Sequence, residues 1–230
     1  MPGLCLCTCI FAAMVPNFLF VPHGFLAGYE QYTDFASGDF LPKTVIFTGA
    51  MGKTEDTLRV VADNFCNRFR DDALRLFEQV KQQHLTLAKY LLVVNYLEAV
   101  QQMQEIFTEV EWLLYDEPVR QSSYYVDQVT GIGPVLNAIL VSALLREKKK
   151  ASAWADARDV LRTDDQFGAA NLLEADFLPE TAFPFQHDNQ LLVMPWTVAS
   201  TSDNETTRYD GVLLLELINK KAPGAKCQVL

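Results

Sequence analysis

PKTVIFTGAMG, from Pro42 to Gly52, is the stretch whose reading decides the fold: a short apolar strand running into a glycine turn. A helix is expected to begin near Thr54, where a threonine can cap and Glu55 and Asp56 sit well in the positive end of the helix dipole. Leu58, Val61, Ala62, Phe65 and Phe69 then recur at helical spacing, so one face is buried. Strand, tight turn and helix in succession make the half-unit of an α/β domain.

Downstream, Ala73, Leu76, Phe77, Val80, His84, Leu87, Ala88 and Leu91 keep the same rhythm, and a further helix is expected from Leu97 to Leu114. His84 lies on the apolar stripe, where a histidine is a packed, hydrogen-bonded residue more often than a ligand or base. Pro134 suits the first turn of another helix, with Val135, Leu136, Ile139, Leu140, Ala143 and Leu144 as its buried face and Lys148 to Lys150 at its negative end. Ala151 to Asp156 reads as a strand followed by a polar loop, Leu191 to Val198 as a second strand, and Val212 to Ile218 as a third. Alternating patterns of this kind predict a mainly parallel sheet between helices, with no internal repeat and no domain boundary.

Upstream, Leu4 to Val21 is apolar and the first charged side chain is Glu30. A secretory signal would carry a positive start, which is absent, and Pro16 interrupts a spanning helix, so a buried strand is expected and a membrane partner is not. Cys5, Cys7 and Cys9 alternate there, and an odd total of five cysteines matches a secreted disulfide framework poorly, which predicts reduced thiols, a cytoplasmic setting and no metal site. The net charge of -10, with no basic stripe, excludes nucleic acid as an expected partner.

Gly52, Lys53 and Thr54 look like the end of a phosphate loop, but the nucleotide motif needs a glycine where Phe47 stands. Two readings stay open: an anion site built from amides and a lysine at a helix entrance, or an ordinary strand-to-helix turn.

Four segments together carry a resemblance: GAMGKTED from Gly49 to Asp56, HLTLAKYLL from His84 to Leu92, WADARDVLRTDDQFGAA from Trp154 to Ala170, and VMPWTVASTSDNETT from Val193 to Thr207. The chain resembles the aspartate kinases, in patches from Lys43 to Thr207, and the third segment is the most specific. The resemblance implies the amino-acid-kinase fold, an α/β three-layer α/β/α sandwich with a mainly parallel central sheet. It makes residues 1–230 a single kinase-like N-terminal domain with a divergent leader over 1–40, and it finds no counterpart of the family's nucleotide-binding half or regulatory domains. It implies transfer of a phosphoryl group from Mg-ATP to L-aspartate in amino-acid biosynthesis, pairing with a second copy or a related kinase, and a substrate site drawn from Gly52, Lys53, Thr54, Arg162, Thr163, Asp164, Asp165, Phe167 and Gly168.

Departures accompany the matches. Glu55 stands at the family's substrate-contacting threonine, Pro134 at its glutamate and Trp196 at a glycine; His23 and Gly24 are what is left of its lysine-bearing strand, and Arg208 and Asp210 of its Gly-Arg turn. Transfer to a carboxylate needs cations that offset phosphate charge, so an alternative stands beside the kinase: a non-catalytic homologue that binds an amino acid or pairs with a full-length kinase.

Overall fold

The computed structural model describes residues 16–175, 177, 183, 185–187 and 189–230. The cysteines at 5, 7 and 9 and most of the apolar leader lie outside these residues.

Five parallel strands form the central sheet. In chain order they are β1 (Asn17–Val21), β2 (Thr44–Thr48), β3 (Ser152–Trp154), β4 (Leu191–Pro195) and β7 (Cys227–Val229), and their spatial order is β3-β4-β2-β1-β7. A separate antiparallel pair joins β5 (Val198–Ser200) and β6 (Thr206–Arg208). The helices are α1 (Tyr29–Ser37), α2 (Thr54–Cys66), α3 (Arg70–Leu91), α4 (Tyr96–Tyr115), α5 (Ser122–Glu147), α6 (Ala157–Val160) and α7 (Gly211–Lys221).

The run TVIFT is fully buried because both faces of its strand are covered. Ile46 and Val193 point into a core shared with the first five helices, while Val45, Phe47, Leu192 and Met194 point into a second core with Leu161, Leu214, Leu217 and Ile218. A strand buried on both sides shows a continuous apolar run instead of alternation. The expected α/β class, with helices flanking a mainly parallel sheet, is what the molecule adopts.

Three expectations need correction. Pro134 does not open a helix: α5 starts at Ser122 and carries Pro134 in its interior. An interior proline removes one intrahelical bond and costs about 3 kcal/mol or more, but nearly every residue of this helix from Val129 to Leu145 is buried, and burial at about 25 cal/mol per Å² of apolar surface outweighs it. Val212 to Ile218 is the body of α7, not a strand, because the Asp210 carboxylate accepts from the Val212 amide at 3.0 Å as an N-cap and Leu214, Leu217 and Ile218 fall on one helical face. The strand after Ala151 stops at Trp154, where Asp156 caps α6 in the same way at 2.9 Å. The leader's expected strand is present in its last five residues as β1, while α1 and β7 had no expectation at all.

α5 is long and apolar enough to cross a bilayer by length and composition. Its surface is taken by α2, α4 and the sheet, the environment of a core helix.

Candidate functional site

Parallel pairing brings the C-terminal ends of β1, β2 and β4 to one edge, the place where open α/β sheets hold ligands. The segments leaving these strands are stitched together. The Gly49 amide donates to Val21 O at 2.8 Å, the Gly24 amide to Ala50 O at 2.9 Å, the Gly52 amide to Leu26 O at 2.9 Å and the Trp196 amide to Thr48 O at 2.9 Å. From the helical layer, Asn137 donates to Gly49 O at 2.6 Å and accepts from the Tyr32 hydroxyl.

A charged network stands on this edge. Glu55, in the first turn of α2, receives Arg208 from β6 on one oxygen and His23 Nδ1, at 2.5 Å, on the other. Arg208 also donates to the Thr130 hydroxyl at 3.2 Å and to the Thr197 hydroxyl at 3.1 Å. The Ala50 amide lies 2.9 Å from the same His23 Nδ1, and one nitrogen cannot both accept from that amide and donate to the carboxylate. The charged partner is the stronger, so we place the proton on Nδ1, facing Glu55, and let Nε2 accept the Thr197 hydroxyl at 3.1 Å. Burial alone would raise the Glu55 carboxyl, but the hydrogen bonds of His23 and Arg208 and the charge of Arg208 outweigh it and hold the group down to about 2. Thr197, the corner of the network, has φ of 67°, a left-handed backbone that a β-branched residue adopts only where its surroundings impose it.

Beside the network lies a cavity of about 400 Å³ bordered by Glu55, Arg59, Asp127, Thr130, Gly168, Arg208 and Asp210. Asp127, from α5, is only 1% exposed, and its Oδ2 accepts from the Gly168 amide at 2.8 Å and the Arg208 amide at 3.2 Å. Burial pushes its carboxyl pKa up, opposed in part by those amides and by the charges of Arg208 and Arg59.

The nine residues expected to line a substrate site fall in three places. Gly168, with φ of 88°, reaches this cavity. Gly52, Lys53 and Thr54 instead border a second cavity of about 630 Å³, between Tyr29 and Tyr90 on the other side of the α2 entrance. Thr54 does not cap α2; its hydroxyl is buried without a partner. The remaining five brace the loop after α6. Arg162 donates to Arg158 O and to the Ser200 hydroxyl, Thr163 bonds the Thr207 hydroxyl at 2.6 Å, and Asp164 accepts from the Asn171 amide at 3.0 Å. Asp165 O accepts the Phe167 amide at 3.0 Å, and Phe167 packs edge-on against Tyr124, with ring centroids 5.0 Å apart, beneath the Arg120 guanidinium.

Trp196, in the place of the family's glycine, packs on Phe20 at 5.2 Å, and a side chain at Gly211 would meet its ring at 2.7 Å. His84 sits in the core with Nδ1 2.8 Å from Val80 O, and burial lowers its pKa to about 4, so it is neutral, and it lines neither cavity. Asp127, Thr130, Arg59 and Thr197 had no place in the sequence reading. Asp127 and Thr130 precede Pro134, and with the helix taken to start there they read as loop; one signal available was a carboxylate three residues ahead of a threonine on one helical face.

No protein-family model matches the chain, and no curated protein matches it by sequence. Solved structures do. Escherichia coli aspartokinase III in complex with lysine and aspartate, its T-state, superposes with a TM-score of 0.76 at 14% identity, over 93% of this chain and 48% of that one. The R-state of the same enzyme, in complex with aspartate and ADP, gives 0.71 at 16% identity with the same coverage. Clostridium acetobutylicum aspartate kinase gives 0.64 at 14% identity, over 93% of this chain and 47% of that one. The chain thus spans about half the length of the proteins it superposes on. These superpositions make its fold that of the aspartokinases, the amino-acid-kinase fold.

Proposed function

We propose that this chain is an aspartokinase-like protein whose cavity at the sheet edge binds L-aspartate and which, with Mg-ATP, transfers a phosphoryl group to the side-chain carboxylate. The observation that carries the reading is the cavity's mixed charge at the carboxyl ends of parallel strands: Arg59 and Arg208 face it together with Asp127 and Asp210. A zwitterion with an extra carboxylate needs groups of both signs, and this cavity has them. The kinship of fold supports the choice, since the E. coli neighbour was solved with aspartate and, in its R-state, with ADP.

Glu55 does not repel such a ligand as its bare charge would, because Arg208 already neutralises it and His23 donates a hydrogen bond to it. The nucleotide half rests on other groups. The amides of Gly24, Gly49 and Gly52 are bonded within the chain and offer a phosphate nothing; Lys53, exposed at the head of α2, supplies the nearby positive charge. Bound Mg-ATP would provide the phosphoryl group, and the chain's part is to hold the accepting carboxylate in place.

Thermal melting with L-aspartate and Mg-ATP added separately tests this reading, alongside aspartate-dependent release of ADP. A ligand present at about 100 times its Kd stabilises the fold by about 2.7 kcal/mol, so even weak binding raises Tm. No shift with either ligand and no ADP would overturn the proposal.

A further inference from the structure

Asp127 holds an unspent oxygen. Its Oδ2 takes both backbone amides described above, while Oδ1 makes no hydrogen bond among the described residues, although the side chain is buried and borders the cavity. Oδ1 keeps some exposure at the cavity, so an entering donor can reach it, and a charge-assisted bond there is stronger than a neutral one. Across the cavity Arg59 is the complementary case: it makes no hydrogen bond or ion pair among the described residues, yet it is close enough for its charge to act on Asp127. Glu55 is engaged with His23 and Arg208, and Asp210 differs from Asp127 in being exposed, with one oxygen on the Val212 amide. The cavity wall therefore presents a carboxylate held from behind by two amides with its other oxygen free, and a free cation exposed on a helix.

We propose that Asp127 is the specificity-determining residue of this cavity, receiving a ligand ammonium on Oδ1 while Arg59 receives a carboxylate, so that the site accepts α-amino acids and rejects their desamino analogues. The proposal rests on reading the cavity as an amino-acid site and adds which residue does the reading. A site whose carboxylate bonds the ligand's ammonium favours the amino acid over the analogue that lacks that donor.

The experiment is calorimetric titration of the wild-type chain with L-aspartate and with succinate, the same dicarboxylate without its ammonium, backed by thermal melting against a panel of common L-amino acids. Asp127→Asn is titrated in parallel; its amide oxygen can still accept from Gly168 and Arg208, so the loop stays held. We expect wild type to prefer L-aspartate over succinate by at least about tenfold, and Asp127→Asn to lose that preference by weakening L-aspartate alone. Equal binding of the two ligands to wild type would overturn the proposal without recourse to the variant, as would an unaltered preference in Asp127→Asn or a panel in which no amino acid binds. Binding that depends on Asp127 but yields no ADP would defeat the phosphotransferase reading and leave this one standing. If another amino acid binds with the same dependence, aspartate is the wrong substrate and Asp127 the right residue.

Discussion

Gly49 stands where β2 passes closest to the segment leaving β1. A Cβ there would lie 2.4 Å from His23 N and 2.8 Å from His23 Cα and Pro22 C, all backbone atoms that cannot rotate away. Gly49→Ala should therefore cost about 3 kcal/mol, measured by urea denaturation; a variant of native stability would show that the two segments are not held this tightly. Glu55 makes a pH prediction. Its folded carboxyl is depressed to about 2 from an ordinary 4.5, so its contribution is complete above the ordinary value and disappears as pH falls through the folded one. Glu55→Gln should be less stable than wild type at pH 7, and the gap should close between about pH 4.5 and pH 2 when urea midpoints are compared across that range. A constant gap would mean that the His23 and Arg208 contacts do not stabilise the ionised form. In the sequence Glu55 is a bare carboxylate in the place of the family's threonine; only its partner Arg208, far along the chain, shows that charge neutralised.

Helices α5 and α7 show how an element escapes a local rule. Pro134 is a good first-turn residue, and the local rule is sound, but it weighs one residue against a burial that runs unbroken from Val129 to Leu145 on both sides of it. In α7 the apolar run VLLLELI has the composition of a buried strand, and the deciding feature is its preceding aspartate. Asp210→Ala should remove the cap and cost about 1 kcal/mol, and Asp210→Ser should restore most of it. Thermal melting checks both, and an Asp210→Ala protein as stable as wild type would mean that packing of Leu214, Leu217 and Ile218 alone holds α7. Elements with a clean 3.6-residue period, α2, α3 and α4, were legible to within a few residues because one face of each meets the core and the other meets water.

At the scale of the molecule, two cores share one sheet. Adjacent residues of β4 face opposite ways, Leu192 toward α7 and Val193 toward the five-helix layer. If the layers unfold as one unit, Leu192→Ala, about 2–5 kcal/mol, and Val193→Ala, somewhat less, should both lower the urea midpoint without changing the slope m. A slope that falls for one variant alone would show that the two layers come apart separately. The alternation of helix and strand patterns foretold this layered architecture, while the order of strands within the sheet had no local signature.

What the sequence by itself determined is the strand, turn and helix from Pro42 onward, the α/β alternation, and a resemblance strong enough to name the fold. These are local properties, set by spacing, capping and burial over a dozen residues at a time. The cavity was decided by tertiary structure. Arg208 and Glu55 are 153 residues apart and His23 and Thr197 are 174 apart, and they meet because parallel pairing lines up strand ends that no neighbouring residue specifies. Asp127 owes its free oxygen to a helix that runs straight through the proline at which a local reading would begin it.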